Sequence, residues 1–473
     1  MTTAAAVRGR PTVRSMVVWS TVAIAGAVAW GVLALYRGER ISAIWLLVAA
    51  LGSYAIAYRF YARFIARTVL RVDDSRATPA ERLDNGIDYQ PTDRRILVGH
   101  HFAAIAGAGP LVGPVLAAQM GYLPGTIWIV VGVIFAGAVQ DMVILFVSMR
   151  RDGRSLGQMA RDEVGVVGGI AALIAVFAIM IILLAVLALV VVNALAKSPW
   201  GTFSIAMTIP IALFMGFYLR IFRPGRVIET TLIGVALLLG AIAAGGWVSE
   251  SSWAGAFTLE PTTLVLFLIG YGFLASGWSV WMRLAPRDCL STFLKVGTIT
   301  LLAIGVIIAA PDLQTDAITK FAGNGLGPVF SGSLFPFVFI IIACGALSGF
   351  HSLIASGTTP KMIQKESQIR LVGYGAMLME SFVAVMALIA ACVLDPGLYY
   401  AMNAPAGLLG STAQSASAAV ANLGFSITPA DLNAAAAAVH EQSLIARTGG
   451  APTLAVGMSQ IFSTAFGGGL QAF

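Results

Sequence analysis

Charge is what this sequence has least of: Asp, Glu, Lys and Arg make up only 11% of 473 residues, with four histidines and three cysteines. A soluble globular domain carries about a quarter charged residues, so an aqueous fold is excluded at the outset. Cys289, Cys344 and Cys392 show no CxxC or other ligand spacing, which makes them packed thiols rather than metal ligands or disulfides. GxxxxGK[ST] and HExxH are both absent, so no ATP-driven motor, zinc-peptidase chemistry or cofactor is expected; the ions the chain would use are H+ or Na+. The ten-residue apolar/polar alternation of a membrane β-barrel is missing too.

What is present is apolar sequence, 58% of the chain with a mean hydropathy of +0.87. It is concentrated in runs of about twenty residues, the length that spans a bilayer as helix. These runs predict an all-α polytopic membrane protein of 11–12 segments: 16–36, 41–58, 98–118, 124–148, 166–196, 202–219, 227–247, 261–281, 290–310, 334–357, 371–394 and 452–473. The first run is too long for a signal-peptide core and lacks a small-residue cleavage site. With the N-terminus in the cytoplasm, the inner segments 1–15, 59–97, 149–163, 220–226, 282–296 and 358–370 hold 24 of the 29 Lys and Arg. The pI of about 9.5 is thus a product of positive-inside orientation, with membrane lipid and not nucleic acid as the charged partner. Arg59, Arg63, Arg67 and Arg71 recur every four residues, the spacing of a solvated or headgroup-facing helix stripe. His440, in the outer region 395–451, is assigned no function.

The segment Val98–Gly121 stands apart, because Gly107, Gly109, Pro110, Gly113 and Pro114 interrupt it in its middle. Unwound backbone at membrane depth survives only where protein buries it or a polar cavity faces it. A half-helix starting near Gly109 would aim free N–H groups at an anion, so Gly107, Ala108, Gly109 and Gly113 are candidate substrate contacts. Five spans later FLIGYGFLASGWSVW, 267–281, is also glycine-interrupted, and Gly270, Gly272, Ser276 and Trp278 are expected to close the opposite side. Paired breaks in oppositely oriented spans predict a five-plus-five inverted repeat resembling the leucine-transporter type, after two extra N-terminal helices. The corresponding units are 1–97, 98–247 and 248–473. Tight helix crossing is the alternative use of the same glycines.

Ionisable residues inside the bilayer are costly and point to function. Asp141 lies about 10 Å from the inner end of its span and Glu380 about 14 Å into 371–394, at 1.5 Å per residue. Each is a candidate proton carrier; Asp141 pairing with Arg150 or Arg151, and Glu380 hydrogen-bonded to a neighbouring helix, are the structural alternatives. His100 and His101 open the broken helix at its inner end, where one imidazole could serve proton coupling and a wet interfacial histidine is the structural alternative. Ser352, Ser356 and Thr358 offer hydroxyls for a sodium-type site. Ser348 and His351 lie three apart, as an intramembrane serine hydrolase would require, but no acidic orienter is evident beside His351.

The stretch GHHFAAIAGAGPLVGPVLAAQMGYLPGTIWIVVGVIFAGAVQDMVILFVSMRRDGRSLG at 99–157 resembles the signature region of the carbon-starvation protein A family. CGALSGFHSLIASGTTPK at 344–361 and FGGG at 466–469 are similar to it as well, so the resemblance covers about residue 41 onward. It implies a secondary transporter of the bacterial inner membrane, linked with uptake of peptides and of pyruvate during nutrient limitation. Family members continue past FGGG into further helices, so the chain is expected to be short at its C-terminus. Residues and resemblance together support a symporter importing a small carboxylate-bearing solute, pyruvate or short peptides, on a proton or sodium gradient. A passive channel and the hydrolase are the alternatives, and an enzyme is not the expectation.

The charge distribution makes a testable prediction. In a Cys-free background, a cysteine at Asp316 should react with an impermeant thiol reagent in intact cells, and one at Asp84 only after permeabilisation. Labelling at Asp84 in intact cells contradicts the orientation.

Overall fold

The computed structural model describes residues 13–35, 40–223, 226–277 and 280–467. Among them there is no β-strand, only two isolated bridges, and the chain is an all-α membrane protein. Its helices are α1 Val13–Ala34, α2 Ile44–Val69, α3 Arg94–Ile105, α4 Gly109–Ala117, α5 Tyr122–Arg150, α6 Val166–Leu195 and α7 Pro199–Phe217. They are followed by α8 Val227–Glu250, α9 Pro261–Gly277, α10 Val280–Ala309, α11 Leu334–Ile341, α12 Gly349–Ala355, α13 Glu366–Val393 and α14 Ala451–Phe466. Helix lies in every segment expected from the sequence. Among the described residues eight are long and apolar enough to cross a bilayer singly, and Arg94–Ile105 with Gly109–Met120, bent by 50°, makes a ninth if the pair is counted as one span.

Burial separates these helices into a centre and a periphery. In α13 83% of the membrane-length window is buried, in α5 56%, and in α6 none. The centre follows from sequence: α13 carries Ala376, Ala384, Ala387, Ala390 and Ala391, all fully buried, and small side chains let neighbouring helices approach closely where lipid supplies no hydrophobic drive between them. On α6 the large residues Ile174, Phe177, Ile182 and Leu184 are exposed, the surface expected of a helix whose solvent is hydrocarbon.

Several expectations need correction. Helix α9 runs unbroken through Gly270, Gly272 and Ser276, so those glycines do not interrupt a span; Trp278 lies outside the described residues. The second broken segment lies instead at 334–355. There α11 ends, Ala343–Ala346 makes a single turn, Leu347 and Ser348 are extended, and α12 resumes. The inner segment expected at 282–296 is helix, part of α10. The arginine stripe runs along a helix with two π-helical turns, Ala57–Tyr61 and Ile65–Val69: Arg59 sits over the Trp19 ring, Arg63 and Arg67 line one cavity with Arg94, and Arg71 alone lies beyond the helix, with φ 51°. Arg150 and Arg151 do not pair with Asp141. Arg150 donates two hydrogen bonds, 2.7 and 2.8 Å, to the buried Glu366, which also accepts the Asp73 N–H at 2.9 Å, and Arg151 pairs with Glu163. Glu366 thereby ties the 72–97 loop to the adjoining ends of α5 and α13.

Candidate functional site

The two broken segments face each other at the centre of the bundle. A Cβ built on Gly113 would lie 2.2 Å from the Ile341 carbonyl oxygen, and one on Gly109 would lie 2.4 Å from Cys344 Sγ. Both glycines are therefore explained by close approach of main chain and side chain. Neither they nor Gly107 has a positive φ. Gly107 has open space where a side chain would stand and is exposed, while Ala108 precedes α4 and its carbonyl accepts the Leu111 and Val112 N–H groups.

Behind the crossing lies a sealed polar cluster. Asp141 on α5, His351 on α12 and Glu380 on α13 are each 0% exposed. His351 Nδ1 stands 3.4 Å from Asp141 Oδ2, and its Nε2 stands 3.1 Å from Glu380 Oε2. Both contacts lie off the line of a good hydrogen bond, and Asp141 Oδ1, Asp141 Oδ2 and Glu380 Oε2 have no hydrogen-bond partner among the described residues. Cys344 Sγ donates to Glu380 Oε1 at 3.2 Å, and Met377 Sδ is 3.1 Å from His351 Nδ1. A fully charged set would carry two carboxylates against at most one imidazolium, and net charge in a dry interior is costly. Two protons shared among the three bases bring the set to neutrality. Such a set can take up and release a cation, a proton among them.

Local backbone geometry brings these groups together. A π-helical turn, Val133–Gly137, precedes Asp141, and another, Arg370–Gly375, precedes Glu380. Such turns shift the face that the following residues present. Tyr374 in the second turn donates to the Ile134 carbonyl in the first at 2.9 Å, locking the two together. Gln140 donates to the Ser348 carbonyl at 2.6 Å and so holds the extended link of the second broken segment. Cys344, His351 and Glu380 offer ligand atoms within 4.8 Å of one another, a spacing that suits a metal. The same groups are joined by a thiol hydrogen bond from Cys344 to Glu380.

The remaining predicted residues fall as follows. His101 is buried, with Nδ1 3.0 Å from Thr359 Oγ1. His100 pairs with Asp288 at 2.8 Å on α10, outside the cluster. The sodium-type trio is not assembled: Ser352 is buried, Ser356 Oγ donates to the Ser352 carbonyl at 2.7 Å and accepts the Leu156 N–H, and Thr358 is exposed. Gly270, Gly272 and Ser276 lie exposed on α9 and take no part in the crossing. His351 is the residue the sequence reading set aside. Two acids do flank it, contrary to expectation, but its ring contacts are Asp141, Glu380, Cys344 and Met377, and Ser348 Oγ is not among them, so no Ser–His pair forms. The available signal was one of only four histidines lying inside an apolar, glycine-broken segment.

Residues 42–473 match the family described as carbon starvation protein CstA. The chain is 59% identical to a peptide transporter CstA of Mycobacterium tuberculosis over 98% of its own length and 62% of that protein's. It is 58% identical to the peptide transporter CstA of Escherichia coli, covering 95% of this chain and 65% of the relative. To the pyruvate/proton symporter BtsT of Escherichia coli it is 52% identical, over 94% and 65%. The chain therefore spans a little under two thirds of the length of these relatives, and they are named as transporters, not enzymes. No solved structure matches.

The crossing predicts unequal responses to the same substitution. Gly113→Ala must displace the backbone at Ile341 and should cost about 1–3 kcal/mol, whereas Gly107→Ala should stay within about 0.5 kcal/mol of the parent. Thermal unfolding of the purified variants in detergent reads the difference, and equal melting temperatures would contradict the packing account.

Proposed function

We propose, because the chain belongs to the carbon starvation protein CstA family, that it is part of a secondary active transporter that takes up a small carboxylate-bearing solute, pyruvate or a short peptide, together with protons. The observation that carries this reading is the cluster of Asp141, His351 and Glu380, fully buried on three separate elements beside the crossing of two broken segments. Discontinuous helices meeting at depth are the recurrent architecture of solute sites in such carriers. The naming of one relative as a pyruvate/proton symporter supports the proton over sodium, as does the scattering of the Ser352, Ser356 and Thr358 hydroxyls. The family name supports a role under carbon starvation, and the arginine-rich inner segments support an inner-membrane location with the N-terminus in the cytoplasm.

In this reading Asp141, His351 and Glu380 carry the coupling proton, and Cys344 links their state to Gly109 at the start of α4. Glu380 accepts the Cys344 thiol proton, and Cys344 packs on Gly109, so a change of charge at Glu380 acts directly on the crossing. In this reading His100, on the half-helix that precedes the break and paired with Asp288, serves proton entry.

In proteoliposomes, Asp141→Asn, His351→Gln and Glu380→Gln should each abolish uphill accumulation of labelled pyruvate or peptide driven by a pH gradient while sparing solute exchange, which needs no net proton movement. Full accumulation driven by a sodium gradient at equal pH on both sides would overturn proton coupling.

A further inference from the structure

We infer that Cys344, His351 and Glu380 form a binding site for zinc(II), and that the bound ion pins the second broken segment to α13 and arrests transport. The arrest rests on the transport reading just given; the binding does not.

Cys344 was expected to be a packed thiol, because no ligand spacing surrounds it in the sequence. The structure brings its partners from α12 and α13. Cys344 Sγ lies 3.7 Å from His351 Nε2 and 3.2 Å from Glu380 Oε1, and His351 Nε2 lies 3.1 Å from Glu380 Oε2. Ligand atoms of a tetrahedral zinc ion, about 2.3 Å from the metal for sulfur and about 2.0–2.2 Å for nitrogen and oxygen, stand about 3.4–3.6 Å from one another. The three side chains therefore hold separations close to those of one face of such a tetrahedron, with its fourth corner open. Glu380 Oε2 is fully buried and has no hydrogen-bond partner among the described residues, a state that a cation relieves.

The far side of His351 supplies the second observation. Its Nδ1 stands 3.4 Å from Asp141 Oδ2, with Met377 Sδ at 3.1 Å. A carboxylate behind the second nitrogen of a ligating histidine is the usual outer partner, which takes the ring N–H and fixes the tautomer. Both Asp141 carboxyl oxygens are buried without a hydrogen-bond partner among the described residues. Charge then selects the ion. On binding, the Cys344 S–H bond breaks and its proton leaves to solution; the thiolate and the Glu380 carboxylate neutralise a dication, which a dry interior requires. A monocation such as Cu+ would leave net negative charge, and Ca2+ and Mg2+ prefer shells made of oxygen alone. Of the three ligands, Cys344 alone is not fully buried, and its sulfur lies where a Cβ on Gly109 would stand. An ion thus meets the sulfur first, at the crossing of the two broken segments.

The test uses cobalt(II) as the spectroscopic probe and zinc(II) as its competitor, added to the tag-free full chain in nanodiscs. The parent should show a thiolate-to-cobalt charge-transfer band in the near ultraviolet and the strong visible bands of a tetrahedral ion, all erased by zinc. Cys344→Ser should remove the charge-transfer band. Asp141→Asn should keep the bands and lower zinc affinity about ten- to a hundredfold, the effect of losing an outer partner. A parent without the charge-transfer band overturns the inference, and so does a band that survives in folded Cys344→Ser. Should that variant fail to fold, unchanged cobalt affinity in Glu380→Gln overturns it equally. In proteoliposomes, zinc should stop accumulation of labelled pyruvate or peptide at the concentrations that fill the site; a filled site with undiminished transport overturns the arrest. A parent that binds cobalt through Cys344 yet moves no solute would instead defeat the transport reading and support the metal site.

Discussion

The cost of isolating charge in a dry interior is the constraint around which the rest of this structure is arranged. Asp141, His351 and Glu380 are all fully buried, and several of their oxygens lack well-aligned donors. Buried polar groups left in this state raise the free energy of the fold, commonly by 1–3 kcal/mol each, so their persistence points to a use. In the proposed function this set, neutral with two protons and negative with one, exchanges the coupling proton.

The irregular backbone of the chain is concentrated around that set. The α3–α4 break, the extended link at Leu347 and Ser348, and the π-helical turns before Asp141 and Glu380 all lie within the central bundle. Each leaves backbone groups outside the regular helix ladder. Lys295 takes up the α3 carbonyls, Tyr399 donates to those of Val115 and Leu116, Gln140 to that of Ser348 and Tyr374 to that of Ile134. Further π-helical turns lie in α2, at Ala57–Tyr61 and Ile65–Val69, whereas α6 is uninterrupted apolar helix over thirty residues.

Much of this was legible in the sequence. Apolar run length alone placed the spans, because backbone in hydrocarbon must close its hydrogen bonds within the segment. Gly107, Gly109, Pro110 and Pro114 announced the first break, and depth within a span picked out Asp141 and Glu380. The second break was misassigned to Gly270 and Gly272, since glycine in a helix can equally serve close packing or mere tolerance, and sequence does not tell which. His351 was missed because its two acids lie on α5 and α13, far away in the chain. Lys295 was counted with an inner loop because α10 continues as helix where a loop was expected.

The most direct test of the central claim is an infrared difference spectrum of the chain in lipid on addition of pyruvate at fixed pH. Proton exchange at the buried cluster predicts a change in the carboxylic-acid carbonyl band that disappears in Glu380→Gln or Asp141→Asn. A spectrum in which solute binds saturably and that band stays unchanged would contradict the account.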